Sequence, residues 1–185
     1  MMKVEKIINR QKNILKKLTE ELKEMDDVVE YVEAGEEEAF DSILVEHEDL
    51  GIANDVAAGQ YFFIPIAFSE SEVEQFVIML TISDELNENK KVDMLQATAY
   101  LNYLLPGGAF VFDPSIEVLS FKRGLTFAVD TAEDDEITMI KYEIMNSLQT
   151  VAIFVAPLLA YLNDDVTWEE FVQACESLLT TSEVE

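Results

Sequence analysis

One cysteine, Cys175, and one histidine, His47, stand in a chain of 185 residues, and each scarcity excludes a kind of chemistry. A lone cysteine cannot close an internal disulfide, and Cys175 reads as a small helix residue. A lone histidine leaves any imidazole mechanism a single candidate. No local signature joins His47 to Cys175 as base and nucleophile. Basic residues are also few, twelve Lys and Arg against thirty-eight Asp and Glu, for a net charge of −26. Such an excess repels nucleic acid phosphates and anionic membranes, so neither is expected as a partner. Long apolar runs are missing as well. The most apolar stretch, residues 151–162, contains Pro157 and falls short of the roughly twenty residues that span a bilayer, so it reads as a buried helix. Residues 1–18 alternate charge with aliphatics, so no signal peptide is expected, and the cytoplasm is the expected location. No phosphate-cradling glycine loop, zinc-ligand spacing or dinucleotide fingerprint occurs, and no cofactor or metal is expected.

Apolar residues make up 49% of the chain, enough for a core under a charged shell, and the length suits one domain over 1–185. The charge is unevenly spread. Seven of the twelve basic residues lie between Lys3 and Lys23, so residues 1–25 carry a net +3 and the rest a net −29.

The spacing of Leu15, Leu18, Leu22, Met25, Val29 and Val32 predicts one amphipathic helix over 2–34, about 50 Å long, with Gly35 as its cap. Segments 40–48, 60–68 and 74–83, rich in β-branched and aromatic residues, predict three strands. The link 69–72 is short enough to make the second and third a hairpin, whereas 49–59 is a longer loop. A helix over 90–105 follows, apolar on two sides. Then come an extended segment at 109–112, a turn at Asp113, Pro114 and Ser115, and a strand over 116–129, either unbroken or bulged near Gly124. Thr131 and Asp134 resemble a capping signal for a third helix, which Pro157 should kink or interrupt. Thr167 and Glu170 form a capping box for a last short helix, 168–179. The expected class is α+β, with a strongly twisted antiparallel sheet of five strands and flanking helices in the order α-β-β-β-α-β-β-α-α.

Candidate sites are few. His47, between Glu46 and Glu48, alternates onto the same face as Ile43 and Val45 and reads as a half-buried strand residue. The acid pairs Asp26 and Asp27, Asp134 and Asp135, and Asp164 and Asp165 read as solvated helix ends rather than acid–base dyads. Glu36 to Glu38 match no calcium-loop spacing. Lys3, Lys6, Arg10 and Lys17 form a basic stripe away from the apolar seam, read as a solvated face drawn to the acidic remainder. The second and third strands are apolar on both faces, so the sheet must be covered twice. Tyr61, Phe63, Val77 and Met79 are the residues expected to bind a partner there.

From Val92 to Val172 the helix end Leu101-Asn102-Tyr103-Leu104-Leu105 leads to Gly108-Ala109-Phe110-Val111-Phe112, then Leu119-Ser120-Phe121-Lys122-Arg123 and a long apolar helix. In element order, acidity and size the chain resembles the type III secretion chaperone-like fold, shared by class I secretion chaperones and YbjN-type bacterial proteins. The resemblance implies a homodimer built through the second helix, with Val92, Leu95, Ala99, Leu101 and Tyr103 at its interface, and surfaces that hold a segment of another polypeptide. The first helix is longer and more basic than that fold requires, and the final helix is an addition. The expected function is that of a non-enzymatic, acidic protein-binding module. The alternative is an acidic decoy that imitates nucleic acid before a basic DNA-binding protein. An enzyme using paired carboxylates would need a pocket gathering acids of raised pKa.

Overall fold

What the apolar spacing joins into one long helix is a shorter helix followed by a strand. In a computed structural model that describes residues 2–25, 28–35, 39–47, 57–65, 73–83 and 88–181, helix α1 covers Met2–Lys23 and strand β1 covers Val28–Val32. Four β-branched or aromatic residues in the five of β1 favour extended backbone over helix. Their positions happened to continue the three–four spacing of the helix. Gly35 therefore follows a strand, not a helix, and α1 is about 33 Å long at 1.5 Å per residue.

The remaining elements are β2 (Ser42–His47), β3 (Ala57–Phe63), β4 (Val73–Ser83), α2 (Lys91–Leu104), β5 (Ala109–Asp113), β6 (Val118–Ala128), α3 (Glu133–Leu162) and α4 (Trp168–Thr181). The class is α+β, as expected, but the sheet has six strands rather than five, in the spatial order β1-β2-β3-β4-β6-β5. Every neighbouring pair is antiparallel. The register irregularity falls between Thr81 and Ser83 of β4, whereas Gly124 pairs regularly with Val77. At the tip of the β5–β6 hairpin, Asp113 accepts hydrogen bonds from the Ser115 amide at 2.9 Å and its hydroxyl at 2.6 Å. These bonds hold the Asp113 carboxyl below its usual range.

One hydrophobic cluster takes residues from all four helices and one sheet face. Leu15 and Leu18 of α1, Met94 and Leu101 of α2, Ile140 and Val155 of α3, and Phe171 of α4 join Ile43, Tyr61, Phe76, Ile78, Phe110 and Phe121. Cys175 lies in the same core, and burial pushes its thiol up to about 11. Helix α3 runs through Pro157 without interruption. It starts without a side-chain cap at Ala132, so the Thr131 and Asp134 signal is not used, and four acids in its first turn complement the helix dipole instead. By length and composition α3 could cross a membrane; here its inner face builds the core.

The box that opens α4 forms as expected: Thr167 donates its amide to Glu170 at 2.8 Å, and Glu170 returns its own to the Thr167 hydroxyl at 3.3 Å. Trp168 and Phe171 then dock α4 against Tyr100 of α2 and Tyr161 of α3, with ring centroids 5.3–6.0 Å apart. The Asp26–Asp27 pair, Glu36 to Glu38, Ile66, Phe68 and the 69–72 link lie outside the described residues.

Candidate functional site

Register decides which sheet residues share a face. Tyr61 pairs with Ile78 and Phe63 with Phe76, whereas Val77 pairs with Phe62 and Met79 with Gln60. Tyr61, Phe63, Val77 and Met79 therefore do not form one surface. Tyr61 and Phe63 face the helices and are buried in the core, where neither is open to a partner. Val77 and Met79 face the other way. Phe40 stacks on Phe62 there at 4.3 Å, and Val77 is buried outside the main hydrophobic cluster. Around this small patch the same face carries Glu46, Gln60, Gln75, Lys122 and Thr126 beside Leu44, Val73 and Ala128, so the second face mixes polar with apolar residues.

His47 is buried rather than half-buried, and it does share its face with Ile43 and Val45. Its Nε2 lies 2.5 Å from the Tyr61 hydroxyl. Gly59 makes this contact possible, because a Cβ there would sit 2.7 Å from the hydroxyl oxygen and 3.1 Å from the imidazole nitrogen.

On α2 the two apolar sides do different work. Met94, Ala97, Thr98 and Leu101 are buried against the core, which removes Leu101 from the expected interface set. Val92, Leu95 and Tyr103 are 75%, 49% and 84% exposed, and Ala99 is exposed between them. These four lie on one face of the helix, with the uncharged Gln96 and Asn102 for company. Asn102 also ties α2 to the sheet margin. Its side-chain amide donates to the Phe110 carbonyl at 2.8 Å and accepts from the Phe110 amide at 2.7 Å, satisfying the outer edge of β5 as a neighbouring strand would.

The main buried charge cluster joins residues that no sequence motif links. Arg10 of α1 pairs with Glu74 of β4, and donates to Glu136 of α3 at 2.5 Å and to the Thr131 carbonyl at 2.6 Å. Gln11 donates to the second Glu74 oxygen at 2.9 Å. Both carboxyl groups are fully buried. Burial pushes Glu136 up to about 7 against the pull of the Arg10 guanidinium, and raises Glu74 as well. Glu136 Oε1 is buried without a hydrogen-bond partner among the described residues. Arg10 therefore does not belong to a solvated stripe; it clamps α1 to the sheet and to α3. Lys17, further along, reaches Glu133 at 3.0 Å and Asp134 at 3.4 Å, so the basic helix does dock on acids of its own chain.

Asp164 pairs with Lys90, and Asp134 with Lys17. Among the described residues no group of three or more His, Cys, Asp or Glu could hold a metal ion. No protein-family model matches the chain, and no curated protein is significantly similar to it.

Proposed function

We propose that this chain is a non-enzymatic, cytoplasmic protein-binding module of chaperone-like fold that pairs with a second copy of itself through α2 and engages a segment of another polypeptide. The observation that carries the reading is the outward face of α2. In a chain where 27% of residues are charged, Val92, Leu95, Ala99 and Tyr103 leave that face apolar and open. An isologous dimer covers such a stripe with its own twin, and a helix needs no further feature for it. The α2 stripe is also where the resemblance to secretion chaperones puts the dimer contact. The two carboxyl groups of raised proton affinity support a non-enzymatic reading, since both are enclosed and clamped by Arg10.

Light scattering at micromolar concentration tests the pairing. The expected result is a dimer of the parent chain and a folded monomer of Leu95→Glu or Tyr103→Glu, because a carboxylate at the centre of an apolar contact has no partner there. A parent chain that scatters as a monomer removes the dimer from the proposal.

A further inference from the structure

The outward face of α3 is a second uncharged surface, and it is the longer of the two. From residue 138 on, the exposed line along this helix consists of Thr138, Met139, Tyr142, Met145, Gln149 and Ala156, and no charged residue occurs from 144 to 162. Met139, Tyr142 and Met145 are 54%, 65% and 48% exposed. Within residues 138–156 the charges are Lys141 and Glu143, and both are held by the protein itself: Lys141 reaches Glu21 at 2.7 Å and Glu143 meets Arg123 at 2.5 Å. Over residues 138–156 the face is about 27 Å long.

We propose that this face docks a basic amphipathic helix of another protein, with Met139, Tyr142 and Met145 as its apolar anchors. The inference rests on the reading of the chain as a protein-binding module and names the partner's chemistry. Helical form follows from shape. Side chains three and four apart make a ridge into which another helix interdigitates, and Ala156 lets its backbone come close. Methionine adapts to varied apolar partners, and tyrosine supplies a large, rigid contact.

Basic character follows from the rim. Asp134 and Asp135 stand exposed at the start of α3, and Glu20 and Glu24 flank Glu21 on the neighbouring helix; with Glu133 these six carboxylates outnumber Lys17, Lys23 and Lys141, the lysines that pair with four of them. Beyond residue 25 the chain carries a net −29, which steers a cationic helix toward it and turns an acidic one away.

Isothermal titration with a synthetic helix of about 18 residues, five turns, tests this, with Leu at helical three–four spacing and Lys elsewhere. A control peptide keeps every Lys and replaces every Leu by Ser. The expected result is binding of the Leu peptide about 10-fold or more tighter than the control, roughly 1.4 kcal/mol. The double variant Met139→Gln, Met145→Gln, which leaves the charge unchanged, is expected to lose that preference. Equal affinity for both peptides overturns the proposal, since charge alone then explains binding. So does a preference that survives in the double variant, or a parent chain that ignores the peptide and binds phosphatidylcholine vesicles. A double variant that turns a dimer into a monomer overturns it too, because the face then belongs to a second copy. Leu95→Glu must keep the peptide preference; its loss there would move the docking site to α2. A monomeric parent chain whose preference vanishes in the double variant supports the α3 site and removes only the α2 dimer.

Discussion

The outward faces of α1 and α4 differ from those of α2 and α3 in a way that a uniformly acidic shell does not explain. Helix α1 presents Lys6, Lys16, Lys17, Glu20 and Glu24 to solvent, and α4 presents Glu169, Glu170 and Glu176. On α2 the open line is Val92, Leu95, Gln96, Ala99 and Tyr103, and on α3 it is Thr138, Met139, Tyr142, Met145 and Gln149. All four helices contribute to the same core, so the difference does not arise from burial. Scattered apolar residues on a surface need no explanation, but two helices with uncharged outer lines in a chain of net −26 do. Charge that lines two helices and, past Asp134 and Asp135, is missing from the outer lines of the other two separates the part that holds the fold from the part proposed for contact.

The comparison breaks if α1 is itself a contact helix, and its inner charge tests that. Arg10→Met leaves Glu74 and Glu136 buried together without a counter-charge. Breaking a buried ion pair from one side costs about 3–5 kcal/mol, and urea denaturation is expected to show a loss of that size. A loss under 1 kcal/mol would mean that α1 is not clamped by this residue and is free to dock elsewhere.

The same cluster gives the pH dependence. Glu136 has a folded pKa of about 7, above its ordinary value of 4.5, so between those values the folded state binds more protons than the unfolded one. Its contribution to stability is fully present below about 4.5 and is lost as pH rises through about 7. Glu74 shifts in the same direction. Unfolding free energy measured from pH 5 to pH 8 is expected to fall by an amount on the order of a few kcal/mol, and Glu136→Gln is expected to flatten that slope. A slope unchanged in the variant would assign it to general self-repulsion of the acidic shell instead.

Part of this was readable from the sequence. Alternation along β4 put Phe76, Ile78, Leu80 and Ile82 toward the core, and the same period carried back two residues places Glu74 among them. Its partners were not readable, because Arg10 lies 64 residues from Glu74 and 126 from Glu136, and only the packing of α1 beside α3 unites them. The pairing of Tyr61 and Phe63 with Val77 and Met79 failed for a related reason: alternation within each strand was right, and the register between strands decided otherwise. Helix α1 was overextended because the β-branched Val29 and Val32 satisfied a helical spacing while favouring a strand. The open face of α3 was hidden by composition. The apolar spacing from Ile137 to Val155 reads as a largely buried helix, yet Met139, Tyr142 and Met145 look outward.

The smallest effect separates the two sides of α2. Asn102 satisfies both backbone groups of Phe110 at the margin of the sheet, whereas Leu95 makes the outer line. Asn102→Ala releases an amide and a carbonyl that water can reach, so the loss of stability is expected to be about 1 kcal/mol, read as a lower urea midpoint. Its dimer is expected to persist, because Val92, Leu95, Ala99 and Tyr103 are untouched. Leu95→Glu reverses the pattern, with little change in midpoint and loss of the dimer. An unpaired β5 edge is also a template for another strand, so Asn102→Ala is expected to aggregate faster near its midpoint than a surface variant of equal stability. If Asn102→Ala instead dissociates the dimer without changing the midpoint, the sheet margin and not the apolar stripe is the contact, and α2 belongs with α1 and α4 as a helix that serves the fold alone.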